Sequence, residues 1–296
     1  MSSKGTVGVI GLGIMGGAIA RNLVEAGWDV VGFDTDPTRC DAIGKNNVRI
    51  AGDAAAVARE AAVILTSLPK PESLAEVAQA IADAALLRRI VAELSTFAIK
   101  DKDSARATLA AAGHTLLDCP LSGTGAQAQV RDLVVYASGD KQAIAALEPV
   151  FADFARAAHD LGDFGNGMRM KFVANLLVAI HNVASAEAMV LGMKAGLDPA
   201  QVLQLATAGA GNSRVLELRG PMMVENRYGG DNLTMRVATW QKDMQVIADF
   251  AREIGAPTPL FAATEAIYNA ALATGRGDED TASVCAVLEA MAGVRR

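Results

Sequence analysis

In the first half of this 296-residue chain, six short runs rich in Val, Ile and Leu alternate with longer alanine-rich segments of helical pattern. The runs occupy residues 7–11, 29–34, 62–67, 89–93, 114–117 and 133–137, and the helical patterns 15–26, 71–85, 100–112 and 141–154. Parallel strands covered by helices on both faces read as continuous apolar runs, so this alternation predicts a doubly wound α/β sheet. Beyond about residue 165 the strand-like runs stop. The patterns 168–195, 199–208, 234–254, 259–273 and 280–292 are all helical. Gly196, Gly255 and Gly275 stand just past three of these helices, and Pro199 and Pro257 follow soon after two of them. The change predicts an α/β domain over residues 1–164 and an all-helical domain over 165–296. No Pro/Ser-rich linker separates them, so a helix is expected to join the two.

Composition narrows the class. Hydrophobic residues at 51% and charged residues at 20% fit a folded globular chain and exclude a disordered one. The balance of 27 basic against 33 acidic side chains contains no Lys/Arg run, so neither a nucleic acid nor an anionic membrane is expected as partner. Cys40, Cys119 and Cys285 are widely spaced and lack metal or redox spacing, which points to a reduced, cytoplasmic protein. His114, His159 and His181 show no ligand spacing, so no metal site is expected. The apolar run 7–10 is too short for a signal core. The apolar stretch 172–180 is interrupted by Asn175 and reads as falling short of a membrane span.

The first run ends in Gly11-Leu12-Gly13-Ile14-Met15-Gly16, a strand, a turn and a helix start. Gly11 suits the tight turn, Gly13 lets backbone approach a pyrophosphate, and Gly16 allows close helix–strand packing. The helix start then offers free N–H groups to phosphate. Asp34 closes the second run, near the spacing at which an acid bonds a ribose 2′-hydroxyl. The pattern predicts a Rossmann-type dinucleotide-binding domain. A carboxylate at Asp34 disfavours a 2′-phosphate, so NAD is expected, while nearby Arg39 leaves NADP open.

Two further segments carry polar groups. Residues 118–126 hold Ser122, Gly123 and Thr124 directly after a candidate strand, which suits either a small carboxylate or a plain turn. Farther on, Lys171 and Asn175 lie four apart on an otherwise apolar helix and share a face that continues to Val178 and Asn182. A lysine on such a face serves chemistry, snorkels to the surface or bonds a neighbouring carboxylate.

Together these segments resemble the β-hydroxyacid dehydrogenase family of 3-hydroxyisobutyrate dehydrogenase type. The family pattern G-x-G-x-x-G-x-x-x-A-x-N-L is matched by Gly11, Gly13, Gly16, Ala20, Asn22 and Leu23. Its substrate pattern D-x-P-V-S-G-G is similar to 118–124, with Leu121 for Val and Thr124 for the last Gly. Its catalytic pattern G-x-G-x-x-x-K-x-x-x-N is matched by Gly165, Gly167, Lys171 and Asn175, and a later K-D pair by Lys242 and Asp243.

The resemblance implies an oxidoreductase passing hydride between a nicotinamide cofactor and a small 3-hydroxy acid or its semialdehyde. Lys171 would be the general acid/base and Asn175 its partner. Ser122, Gly123, Thr124 and Lys242 would hold substrate in a cleft between the domains. Gly11, Leu12, Gly13, Ile14, Met15, Gly16, Asp34, Leu68, Pro69 and Thr96 would hold the cofactor. A free lysine titrates at about 10.4, so burial and a positive ring are expected to tune it. The resemblance also implies a homodimer or homotetramer formed through the helical domain. Tartronate semialdehyde reduction and L-threonate oxidation are the alternative reactions, and a non-catalytic NAD(P)-binding module is a more distant one. Val178 stands where 6-phosphogluconate dehydrogenases carry an acid, which argues against oxidative decarboxylation. Lys171 argues against imine reductases, which generally lack it.

Overall fold

A computed structural model describes residues 3–230 and 233–296 of the chain. The chain forms two compact units, Met1–Lys171 and Phe172–Arg296.

The first unit opens β1 (Thr6–Ile10), α1 (Ile14–Glu25), β2 (Asp29–Phe33), α2 (Pro37–Gly44), β3 (Arg49–Ile50), α3 (Ala54–Glu60), β4 (Val63–Thr66) and α4 (Pro71–Asp83). It continues through β5 (Ile90–Glu93), α5 (Ile99–Ala111), β6 (Thr115–Asp118), β7 (Leu121–Ser122), α6 (Gly125–Gln129), β8 (Val134–Ala137), α7 (Lys141–Ala152) and β9 (Ala157–Asp160). Strands β3-β2-β1-β4-β5-β6 form one parallel sheet in that order, and β7-β8-β9 form a small second sheet with an antiparallel β7/β8 pair. Successive strand residues face opposite sides. Accordingly Leu65, Ala92 and Leu117 join a core on one side, and Ile64, Val91 and Leu116 a second core on the other. Each fully buried Val, Leu or Ile contributes about 1.5–3 kcal/mol, which is why the expected double winding forms.

Short elements escaped the apolar pattern. Strands β3 and β7 have two residues each, too few for a period. Helices α2 and α3 announce themselves through caps instead: Asp36 Oδ1 accepts the Thr38 N–H at 2.9 Å and Asp53 Oδ1 the Ala56 N–H at 2.6 Å.

Helix α8 (Asn166–Lys194) starts in the first unit and runs into the second, which adds α9 (Pro199–Ala208), α10 (Arg214–Glu225), α11 (Val237–Glu253), α12 (Pro259–Ala273), a 3-10 turn (Thr281–Ser283) and α13 (Val284–Ala292). The pattern over 280–292 therefore divides in two. Helix α11 starts three residues later than its pattern because Asp280 Oδ2 takes the N–H groups of Thr234 (2.7 Å) and Met235 (3.0 Å), holding that stretch out of the helix. The apolar stretch expected to end near residue 180 is part of a 29-residue helix that contains an 18-residue window of mean hydropathy 1.6. Asn175 does not break it, so by length and composition alone α8 could cross a membrane. Its buried positions Ala179, Val183, Ala186 and Met189, and the paired amides of Asn175 and Asn182, are those of a core helix. Phe172 packs on Phe250 with centroids 4.9 Å apart, and Trp240 on Tyr268 at 6.3 Å.

Candidate active site

The carboxyl edge of the parallel sheet is where open α/β sheets bind ligands, and four of the predicted segments lie there. After β1 the chain turns at Gly11, whose φ is +90° and where a Cβ would collide with the Ser67 carbonyl. A Cβ at Gly16 would in turn collide with the Gly11 carbonyl, so the second position allows α1 to sit tight on the turn. At Gly13 the nearest atom to a Cβ would be Arg39 Nη1 at 3.7 Å, leaving room for a group to approach. Gly13 caps α1 without any side-chain bond, and Ile14 is exposed while Met15 is half-buried. The uncapped first-turn N–H groups fit a dinucleotide pyrophosphate.

Asp34 follows β2 and is 9% exposed. Its Oδ2 accepts the Leu12 N–H at 2.7 Å and its Oδ1 the Asp36 N–H at 2.9 Å, so it braces the glycine turn. Arg39 Nη1 lies 3.4 Å from the same Oδ2. Leu68 is half-buried and Pro69 exposed; the Leu68 N–H donates to Ser95 Oγ at 2.8 Å. Thr96 is half-buried beside Ser95. The structure thus brings the loops after β4 and β5 together, a link no local pattern carried.

Ser122 ends β7 and is half-buried. Gly123 has φ +134°, and a Cβ there would lie 2.6 Å from Leu133 Cδ2, so only glycine suits the turn. Thr124 is the N-cap of α6, and its N–H donates to Gln127 Oε1 at 3.0 Å. The Thr124 hydroxyl donates to the same Gln127 Oε1 at 3.4 Å, a contact the family glycine lacks. Asn22 Nδ2 donates to the Ala128 carbonyl at 2.7 Å, tying α1 to α6.

Lys171 and Asn175 are both buried, at 8% and 5% exposure, one turn apart on α8. Asn175 Nδ2 donates to Asp243 Oδ2 at 3.0 Å, and Lys242 Nζ lies 3.7 Å from Asp243 Oδ1. Asp243 is buried, whereas the Lys242 side chain is 39% exposed. The acid of the K-D pair orients the Asn175 amide, a role sequence reading left unassigned. Its signal was position: Asp243 lies among the buried Val237, Trp240, Met244 and Ile247 of α11. Trp240, 3% exposed against Tyr268, is a packing residue.

Sequence reading also passed over a buried charged group in the first unit, built from Glu93, Lys102, Asp118 and Ser138. Lys102 occupies the buried stripe of α5 with Ala105 and Leu109, the i, i+3, i+7 spacing that marks a core face. Among the described residues, no group of three or more His, Cys, Asp or Glu side chains is placed to hold a metal.

Two family models together span nearly the whole chain. Residues 6–167 match the NAD binding domain of 6-phosphogluconate dehydrogenase, and residues 165–288 the NAD-binding region of NADP-dependent 3-hydroxyisobutyrate dehydrogenase. The chain is similar to an L-threonate dehydrogenase of Haemophilus influenzae, 32% identical over 284 residues, covering 94% of this chain and 93% of that protein. It is also similar to the chloroplastic glyoxylate/succinic semialdehyde reductase 2 of Arabidopsis thaliana, at 28% identity over 96% of this chain and 80% of that one. Among solved structures, 3-hydroxyisobutyrate dehydrogenase of Mycobacterium tuberculosis with L-serine superposes with a TM-score of 0.86 at 28% identity, covering 97% of this chain and 99% of that one.

Proposed function

The chain belongs to the β-hydroxyacid dehydrogenase family and is an NAD(P)-dependent oxidoreductase acting on CH–OH groups; from that premise we propose that Lys171 is its general acid/base and a small 3-hydroxy acid its substrate. The observation that carries the proposal is the buried Lys171, one turn before an Asn175 whose amide Asp243 holds.

When bound, the nicotinamide ring takes or gives the hydride. The chain's own residues do the rest. In oxidation Lys171 accepts the hydroxyl proton at Nζ, and in reduction it returns it; a positioned acid–base group of this kind is worth about 100- to 10,000-fold in rate. Asn175, its amide oriented by Asp243, limits the poses of the substrate oxygen. Ser122 and Gly123 hold the substrate carboxylate, and Thr124 shapes that loop as the cap of α6. Lys242 adds positive charge for the same carboxylate. The glycine turn, with Leu12, Ile14 and Met15, receives the pyrophosphate, while Leu68, Pro69 and Thr96 line the cofactor. Asp34 favours NAD over NADP, because a 2′-phosphate would meet a carboxylate already held in place by Leu12 N–H. We further place the enzyme in the cytoplasm as a homodimer or homotetramer. Exposed Leu177 and Leu191 on α8 and Leu205 on α9 support association through the helical unit.

The test is a panel of 3-hydroxyisobutyrate, L-threonate, L-serine and tartronate semialdehyde with both cofactors, read by reduced-nicotinamide absorbance, on the wild type and Lys171→Ala. The expected result is turnover of at least one compound, better with NAD, and a loss of about 100-fold or more in Lys171→Ala with cofactor binding retained. Near-normal turnover by Lys171→Ala removes Lys171 from the mechanism.

A further inference from the structure

Strands β4, β5 and β6 end in register on Thr66, Glu93 and Asp118, which places three polar side chains in one row across the carboxyl edge of the sheet. All three are fully buried. Lys102 reaches this row from α5, with Nζ 2.6 Å from Glu93 Oε2 and 2.7 Å from Asp118 Oδ1. Burial works to lower the ammonium's pKa, but the carboxylates of Asp118 and Glu93 outweigh it and raise the value, so Lys102 stays charged.

The remaining carboxylate oxygens lead to two separate places. Glu93 Oε1 accepts the Ser95 N–H at 2.9 Å, and Ser95 Oγ accepts the Leu68 N–H at 2.8 Å, so this arm ends on the loops assigned to the cofactor. Asp118 Oδ2 accepts the Met168 N–H at 2.8 Å. The Ser138 hydroxyl donates to Asp118 and accepts the Gly167 N–H at 2.9 Å. This second arm ends on the first turn of α8, about one helical turn before Lys171. The helix start is pressed onto the strands as well: a Cβ at Gly167 would lie 2.7 Å from the Asp118 carbonyl oxygen. One ammonium thus joins the cofactor loops to the base of the helix that carries Lys171.

We propose that Lys102 is a positioning residue for Lys171: by clamping Asp118 it fixes the first turn of α8, and through Glu93 it holds that turn in register with the 68 and 95–96 loops. The proposal rests on Lys171 being the acid/base. A displacement of about 1 Å at a reacting group can cost about 100-fold in rate, so the clamp acts on turnover more than on affinity.

The experiment uses the full chain with saturating NAD and the panel acid turned over fastest. Lys102→Met is combined with Glu93→Gln, which removes one positive and one negative charge together, and the pair is built in both the wild-type and Lys171→Ala backgrounds. Ser138→Ala is the milder variant, cutting the Gly167 link and the hydroxyl's bonds to Asp118 while leaving the Lys102 ion pairs in place. Circular dichroism and melting establish folding, dinucleotide titration gives cofactor affinity, and hydrogen exchange follows the 166–171 amides. The expected result is a kcat lowered about 10- to 100-fold with KM and cofactor affinity within about 2-fold. Faster exchange at 166–171 accompanies it, and the kcat effect disappears in the Lys171→Ala background, where nothing is left to position. Ser138→Ala follows the same pattern at about 3- to 10-fold, and decides the matter if the double variant fails to fold. Unchanged kcat in a folded variant, or an equal fold-loss in both backgrounds, overturns the proposal and leaves Lys102 a stabilising ion only. Near-normal turnover by Lys171→Ala alone identifies the acid/base reading as the one that failed, and the positioning role falls with it.

Discussion

Each unit buries a carboxylate against a cation, and the two do so in different ways. In the sheet unit, Glu93 and Asp118 share the single ammonium of Lys102. In the helical unit, Asp280 pairs with Arg219 at 3.3 Å and also accepts the Thr234 hydroxyl and the N–H groups of Thr234, Met235 and Ala282. Glu93 is therefore short of compensation, and burial raises its pKa in spite of Lys102. Asp280 has compensation in excess: burial pushes its pKa up, but Arg219, Thr234 and the backbone donors more than offset this and hold it below the ordinary value. A buried acid is thus stabilised or penalised by its count of donors rather than by its depth.

The strongest way to break the contrast is Asp280→Ala. It strands a buried Arg219 and frees three N–H groups, and should cost about 3–5 kcal/mol in denaturant unfolding. A loss below about 1 kcal/mol would mean that the helical unit does not depend on this node. Glu93→Gln should cost far less, about 1 kcal/mol or under, because the charge it removes is already penalised.

Acid and alkaline titrations sharpen the same point, with opposite signs. The stability from Asp280 is fully present above its ordinary value of 3.8 and is lost as pH falls through the lowered folded value. Glu93 binds its proton more tightly folded than unfolded, so its contribution is greatest below 4.5 and fades as pH rises from there to the raised folded value. Unfolding free energies measured against pH should lose the acid-side slope in Asp280→Asn and the slope above 4.5 in Glu93→Gln. The smallest effect belongs to a surface pair. Lys4 Nζ and Asp153 Oδ2 are 2.8 Å apart, but the lysine is 47% exposed, so Lys4→Met should change stability by about 0–1 kcal/mol and less in high salt.

The same division runs through what could be read in advance. Alternating apolar runs, glycine positions and the Lys171/Asn175 spacing are local properties of the chain. They specified five of the six parallel strands, the turn after β1, the change to helices and most candidate site residues, because burial and backbone sterics act on neighbours in sequence. Strand β3 was too short to show, and the run at 133–137 became β8 of the second sheet. Asp34 was legible as an acid after β2, but its bond to Leu12 N–H was not, since that requires two turns 22 residues apart to meet. Asp243 and Lys102 were hidden for a related reason: charged letters on a helix normally face water, and only the tertiary arrangement shows their partners 68 and 16 residues away. Sequence by itself determined the sheet, the glycine turn and the family to which the chain belongs. Tertiary structure alone decided which buried charges answer one another, because the partners of a desolvated charge are set by geometry in space and not by spacing along the chain.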